Sequence, residues 1–105
     1  MISEIVTWEL PEGMTKDEVT AKFRASVPVW QTKSDLIHKA FLFDEPSRRA
    51  GAVYLWKSLA PAKEAHGDAF RDRIRSTFGA TPDFQYFDTP IVIDNKAKQV
   101  TEAVA

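Results

Sequence analysis

The sequence predicts an α+β domain of the split βαβ type, an antiparallel four-stranded sheet carrying two helices on one face. Three observations lead there. Period-two and helical i, i+4 stretches alternate in the order β-α-β-β-α-β. The third strand is apolar on both faces. Twelve aromatic side chains, seven Phe, three Trp and two Tyr, crowd a chain of 105 residues that has no cysteine.

Ser3 to Leu10 alternates, with Ile5, Thr7 and Glu9 on one face and Glu4, Val6, Trp8 and Leu10 on the other, as a strand does. After the turn at Pro11, Glu12 and Gly13, Thr15 and Glu18 form a capping box that opens a helix. Val19, Phe23, Val27 and Trp30 give that helix its apolar stripe, and Pro28 is expected to kink or end it near Val27. Leu36 to Asp44 is the second strand, and Glu45 to Gly51 a hairpin loop. Ala52 to Lys57 is the third strand. Its two apolar faces both need cover.

Ser58 is placed to cap a second helix, with Pro61 harmless in the first turn and Gly79 as the stop. Ala62, His66, Phe70, Ile74 and Phe78 recur every fourth residue on its buried side. Gly67 within that helix points either to close approach of a backbone or ligand or to a small surface flaw. Asp83 to Asp94 is a long last strand interrupted by Pro90, which belongs on an edge or at a bend. Residues 1–95 thus form one domain. Residues 96–105 are expected to be a loose tail, or a short helix from Lys98 onward.

With both helices on one face, the other face of the sheet and Trp8 are left without cover. A second copy of the chain can supply it, so a homodimer is expected, with Ile91 to Ile93 reaching across to the partner's sheet edge.

Composition narrows the chemistry. Fourteen basic and fifteen acidic residues, interspersed, argue against a nucleic-acid surface. No apolar run approaches a membrane span, and Met1 to Leu10 contains Glu4 and Glu9, unlike a signal peptide; a cytoplasmic protein is expected. Two histidines 28 residues apart, with no clustered carboxylates, lack the spacing of a metal site. Isolated glycines exclude a phosphate loop, and no serine stands in a nucleophile elbow.

The remaining candidates are few. His66 lies on an otherwise apolar stripe, as a base or as a structural histidine bonded to a backbone carbonyl. His38 and Lys39 are adjacent on the second strand and so face opposite ways, His38 with Leu36, Ala40 and Leu42, and Lys39 with Ile37, Phe41 and Phe43. A buried lysine can lose basicity and act as a base, or its stem can carry the amine to water. Tyr54 and Trp56 share a face of the central strand, where they can clamp a flat ligand with Trp30 or simply pack the core.

The stretches Leu36-Ile37-His38-Lys39-Ala40-Phe41, Gly51-Ala52-Val53-Tyr54-Leu55-Trp56-Lys57-Ser58 and Thr89-Pro90-Ile91-Val92-Ile93-Asp94-Asn95 resemble the YdhR-type mono-oxygenases, a family of the dimeric α/β-barrel superfamily. The resemblance spans Ile5 to Asn95. It departs at Ser34 and Asp35, where members commonly carry Pro-Gly. It implies a ferredoxin-like protomer, paired into a dimeric α/β barrel, with an apolar cavity between sheet and helices. It also implies cofactor-independent oxygenation of an aromatic or polycyclic phenolic substrate. Within it His66 or His38 is the expected base, Lys39 an oxyanion partner, Tyr54 and Trp56 a clamp or donors, and Trp30 a cavity wall. Haem-degrading members of the superfamily use an Asn on the first strand and a Trp on the second helix. This chain has Thr7 and no tryptophan there, so no cofactor is expected. The alternative is a noncatalytic dimeric ligand-binding or stress-related module of the same fold.

Overall fold

A computed structural model describes residues 1–103. The elements are β1 (Ile2–Glu9), α1 (Lys16–Gln31), β2 (Leu36–Asp44), β3 (Arg49–Trp56), α2 (Leu59–Ala65), α3 (Asp68–Phe78), β4 (Asp83–Asp88), β5 (Ile91–Asp94) and β6 (Gln99–Glu102). The first four long strands form an antiparallel sheet in the order β2-β3-β1-β4, and β5 and β6 pair only with each other. The chain is α+β, with a sheet order compatible with a ferredoxin-like fold.

Register assigns the faces. Glu4 pairs with Tyr54 and Tyr86, Val6 with Ala52 and Phe84, and Trp8 with Ala50, so these residues share the helix-covered side. Trp8 is therefore buried under the helices, edge-on to Phe23 and tilted against Phe78, and is not on the open face as expected. The open face carries Ile5, Val53, Leu55, Leu42 and Phe87. Leu55 is only 6% exposed there, while Phe87 is half exposed. A Cβ on Gly51 would run into the Val6 carbonyl oxygen, so the close approach of β1 to β3 requires glycine at that position.

Four expectations need correction. The α1 helix runs through Pro28 to Gln31. Proline costs a helix interior about 3 kcal/mol, whereas burying an aromatic ring such as Trp30 returns about 4–6 kcal/mol, so packing carries the helix past the breaker. The expected second helix is two helices, α2 and α3, broken at His66 and Gly67. Gly67 serves as N-cap of α3 and would meet only the Glu64 carbonyl oxygen at 3.8 Å, so the break and not a close approach accounts for it. The i, i+4 stripe survives because the break keeps Ala62, His66 and Phe70 facing the sheet.

A bulge between Leu36 and His38 is the third departure. Leu36 pairs with Trp56 and joins the face of Lys39, while His38, opposite Leu55, lies on the other. Fourth, of the expected tail, residues 104–105 lie outside the described residues, and residues 96–103 are neither loose nor a helix. The Asp94 carboxylate accepts the Lys96 and Ala97 N–H groups, Lys98 takes a positive φ, and β6 folds back on β5. The β2–β3 turn is built alike, from the Asp44 carboxylate and a positive φ at Arg48. Two strand boundaries differ as well: β3 begins at Arg49, which shortens the expected hairpin loop, and the expected last strand is divided at Thr89 and Pro90 into β4 and β5 of separate sheets. Two local expectations hold. Thr15 and Glu18 make the capping box, and Gly79 ends α3 in the left-handed region at φ 70°.

Candidate functional site

A cavity of about 290 Å³ opens between α1 and α3, with the inner face of β2 and β3 as its floor. Apolar and aromatic side chains dominate its wall, among them Trp30, Phe41, Tyr54 and Phe70. Strand alternation brings Lys39 and Tyr54, a directly opposed pair, to this floor. The continuation of α1 past Pro28 brings Trp30 over them.

The Lys39 Nζ lies 3.5 Å from the centre of the Trp30 ring, 4.3 Å from that of Phe41 and 4.5 Å from that of Tyr54. Burial pushes this amine down to about 6, and the positive charge of Arg73 adds to the fall while Glu4 opposes it. Cation–π attraction to the rings favours the charged form and opposes part of this fall, which leaves the amine far less basic than a free lysine. The Tyr54 hydroxyl is pushed the opposite way, upward, by burial and by the nearby Glu4 carboxylate, against the pull of Arg73. It is therefore a hydrogen-bond donor at neutral pH.

Beneath this floor is a second polar centre. Glu4, 0% exposed, accepts a 2.9 Å hydrogen bond from Trp56 Nε1. Its other oxygen lies 2.9 Å from Nδ1 of His66, which is 3% exposed. The same Nδ1 is 3.1 Å from the Ala62 carbonyl oxygen. With two acceptors facing it, Nδ1 carries the proton, which is directed to the carbonyl and leaves Glu4 Oε2 without a well-aligned hydrogen bond. Burial pushes the Tyr86 hydroxyl up to about 12, with the charge of the neighbouring Glu4 adding to the rise. His66 Nε2 has no partner among the described residues. Rings of Trp30, Tyr54, Trp56, Phe70 and Phe84 surround the imidazole, the nearest, Phe70, at 4.5 Å between centroids.

The six residues singled out from the sequence thus separate into three groups. Lys39, Tyr54 and Trp30 line the cavity. Trp56, stacked on Tyr54 at 5.9 Å and 14°, and His66, edge-on to Tyr54 at 4.8 Å, stand behind the wall and hold it in place. His38 is exposed on the open face of the edge strand and borders a second groove that shares Trp30, Lys39 and Phe41 with the cavity. No family model matches the chain, and none of the curated proteins does. Among the described residues no three histidine, aspartate or glutamate side chains converge as a metal ion would require, and no helix is long and apolar enough to cross a membrane.

Sequence reasoning missed Glu4, Arg73 and Trp8 as parts of this region. Glu4 carried a legible signal, a carboxylate in phase with Val6, Trp8 and Leu10 on an apolar strand face, where it needs a partner. Arg73 gave none, because it falls among the charged residues of an amphipathic helix. Trp8 lines the cavity with its buried indole N–H unpartnered among the described residues, which only the register of β1 reveals.

Proposed function

We propose that this chain is a small cofactor-independent mono-oxygenase of the YdhR type, acting as a homodimer on an aromatic or polycyclic phenolic substrate held in the cavity beside Lys39. The observation that carries the reading is a lysine amine, weakly basic at about 6, set within a wall of aromatic rings. Such an amine is largely free to accept a proton at pH 7, and the dry wall keeps water from competing for the substrate.

Trp30 and Tyr54 hold the flat substrate. Lys39 takes the proton of the phenolic hydroxyl, leaving a phenolate beside the new ammonium ion. The Tyr54 hydroxyl donates to the phenolate oxygen. The phenolate passes one electron to dioxygen, the substrate radical and superoxide combine to form the carbon–oxygen bond, and the ammonium ion returns its proton to the resulting peroxide. Loss of the carbon-bound proton and cleavage of the O–O bond then give a ketone and water. Trp56 and His66 act through Tyr54 as positioning residues. His38, on the far face, has no part in this chemistry.

The open sheet face supports the dimer. Ile5, Leu42, Val53 and Phe87 form an apolar surface there, and the β5–β6 arm carries Ile91, Ile93 and Val100, all more than half exposed. A second protomer facing this sheet covers the surface and gives the arm an edge to join. Oxygen consumption with anthrone tests the catalytic reading. Acceleration by the wild-type protein that is lost in Lys39→Met is expected, and ligand binding without any oxygen uptake identifies the noncatalytic module instead.

A further inference from the structure

The charges around the cavity are all of one sign. Lys22 from α1, Lys39 from β2 and Arg73 from α3 line it, and no aspartate or glutamate does. None of these three cations forms an ion pair with a carboxylate among the described residues, in contrast to Arg48, Arg49 and Arg75. The nearest carboxylate, Glu4, already accepts the Trp56 N–H and lies against His66. The wall is also rich in donors. The Trp8 indole N–H is buried and unpartnered, and Tyr54 keeps its proton.

We propose that the cavity takes a flat aromatic carboxylate, a molecule two or three rings wide whose single anionic group sits between Arg73 and Lys39 while its rings lie against Trp30, Tyr54 and Phe70. This names a ligand class for the cavity and does not rest on the reading above for binding: by holding Lys39 protonated, such a carboxylate occupies the base and blocks the oxygenase reaction instead of serving as its substrate. A guanidinium matches a carboxylate with two parallel hydrogen bonds. A single negative charge is the form that an apolar wall with few hydroxyls can hold, since a phosphate dianion would leave its additional charge desolvated. The carboxylate also offsets the repulsion that Arg73 exerts on Lys39 once its amine is protonated.

Binding is then coupled to a proton. Lys22 on α1, Tyr54 on β3, Glu4 on β1 and Arg73 on α3 are the ionisable groups facing Lys39, and burial together with the positive charge of Arg73 favours its uncharged form in the empty cavity, against the pull of Glu4. An anion beside it reverses that balance, so the amine takes up a proton as the carboxylate enters.

The test compares 2-naphthoate with 2-naphthamide, of nearly the same shape, by calorimetric titration at pH 7.5. We expect naphthoate to bind about tenfold more tightly or better, the size of one desolvated charge-assisted pair. Arg73→Gln, at an exposed helix position, erases that preference, while Arg71→Gln, outside the cavity, keeps it. Repeating the titration in phosphate and Tris reads uptake of roughly half to one proton per ligand, absent in Lys39→Met. Equal affinity for the two ligands, preference for the amide, binding of neither at millimolar concentration, or a preference that survives Arg73→Gln overturns the inference. Oxygen is not consumed in this assay, so its failure and the failure of the oxygenase reading are distinguishable.

Discussion

Replacing Lys39 by methionine should make the protein more stable. The two side chains have similar volume and Met fills irregular apolar space readily, so the change removes the amine without opening a hole. In the fold the amine is lowered from 10.5 to about 6. At ~1.4 kcal/mol per pH unit, keeping it charged there costs at most ~6 kcal/mol. Partial exposure and cation–π attraction to Trp30 reduce this to roughly 3 kcal/mol. The sign follows from proton counting. Below pH 6 folded and unfolded chains both hold the proton, and the full cost is present. Between pH 6 and 10.5 only the unfolded chain holds it, so wild-type stability rises with pH. Lys39→Met should therefore exceed the wild type by roughly 3 kcal/mol at pH 6 and by about 2 kcal/mol at pH 9, in urea unfolding at matched protein concentration. Stability curves that run parallel over this range, or a destabilised variant, would refute the placement of an uncharged lysine in the cavity.

Other consequences follow from the same packing. Glu4→Ala leaves the buried Trp56 N–H without its acceptor and removes the carboxylate packed against His66, and should cost about 2 kcal/mol by urea unfolding. Trp56→Phe removes the same hydrogen bond from the other side. Combined with Glu4→Ala it should cost less than the sum of the two, the signature of a shared contact. Gly51→Ala drives a methyl group into the Val6 carbonyl and should lower stability by more than ~2 kcal/mol, read as a lowered melting temperature. Sedimentation equilibrium should give a dimer at micromolar concentration, and Phe87→Glu on the open face should return a folded monomer; a wild-type monomer contradicts the proposed assembly.

Local rules explain what could be read in advance. The β2 limits, the Thr15 capping box and the Gly79 stop each depend on side chains within a few residues of one another, so their spacing carries them. The arrangement of the cavity depends on pairings across the sheet. The bulge at Ile37 moved Leu36 to the face of Lys39, and the register of β1 with β3 put Trp8 under the helices, where no pattern within a single strand could place it. Pro28 was overruled by the burial of Trp30, and the expected tail became β6 because an aspartate-led turn gave it a strand to pair with. Lys39, Tyr54 and Trp30 could be nominated from the sequence. Their meeting point, with Arg73 as a neighbour, required the fold.

The central claim, that Lys39 acts as a base in an oxygenase cavity, is tested most directly by the pH profile of anthrone-dependent oxygen uptake, corrected for uptake in buffer alone. The wild-type rate should rise as the amine loses its proton and be half-maximal near pH 6, and Lys39→Met should stay at the buffer level throughout. No acceleration by the wild type at any pH, or a profile that Lys39→Met leaves unchanged, would contradict it.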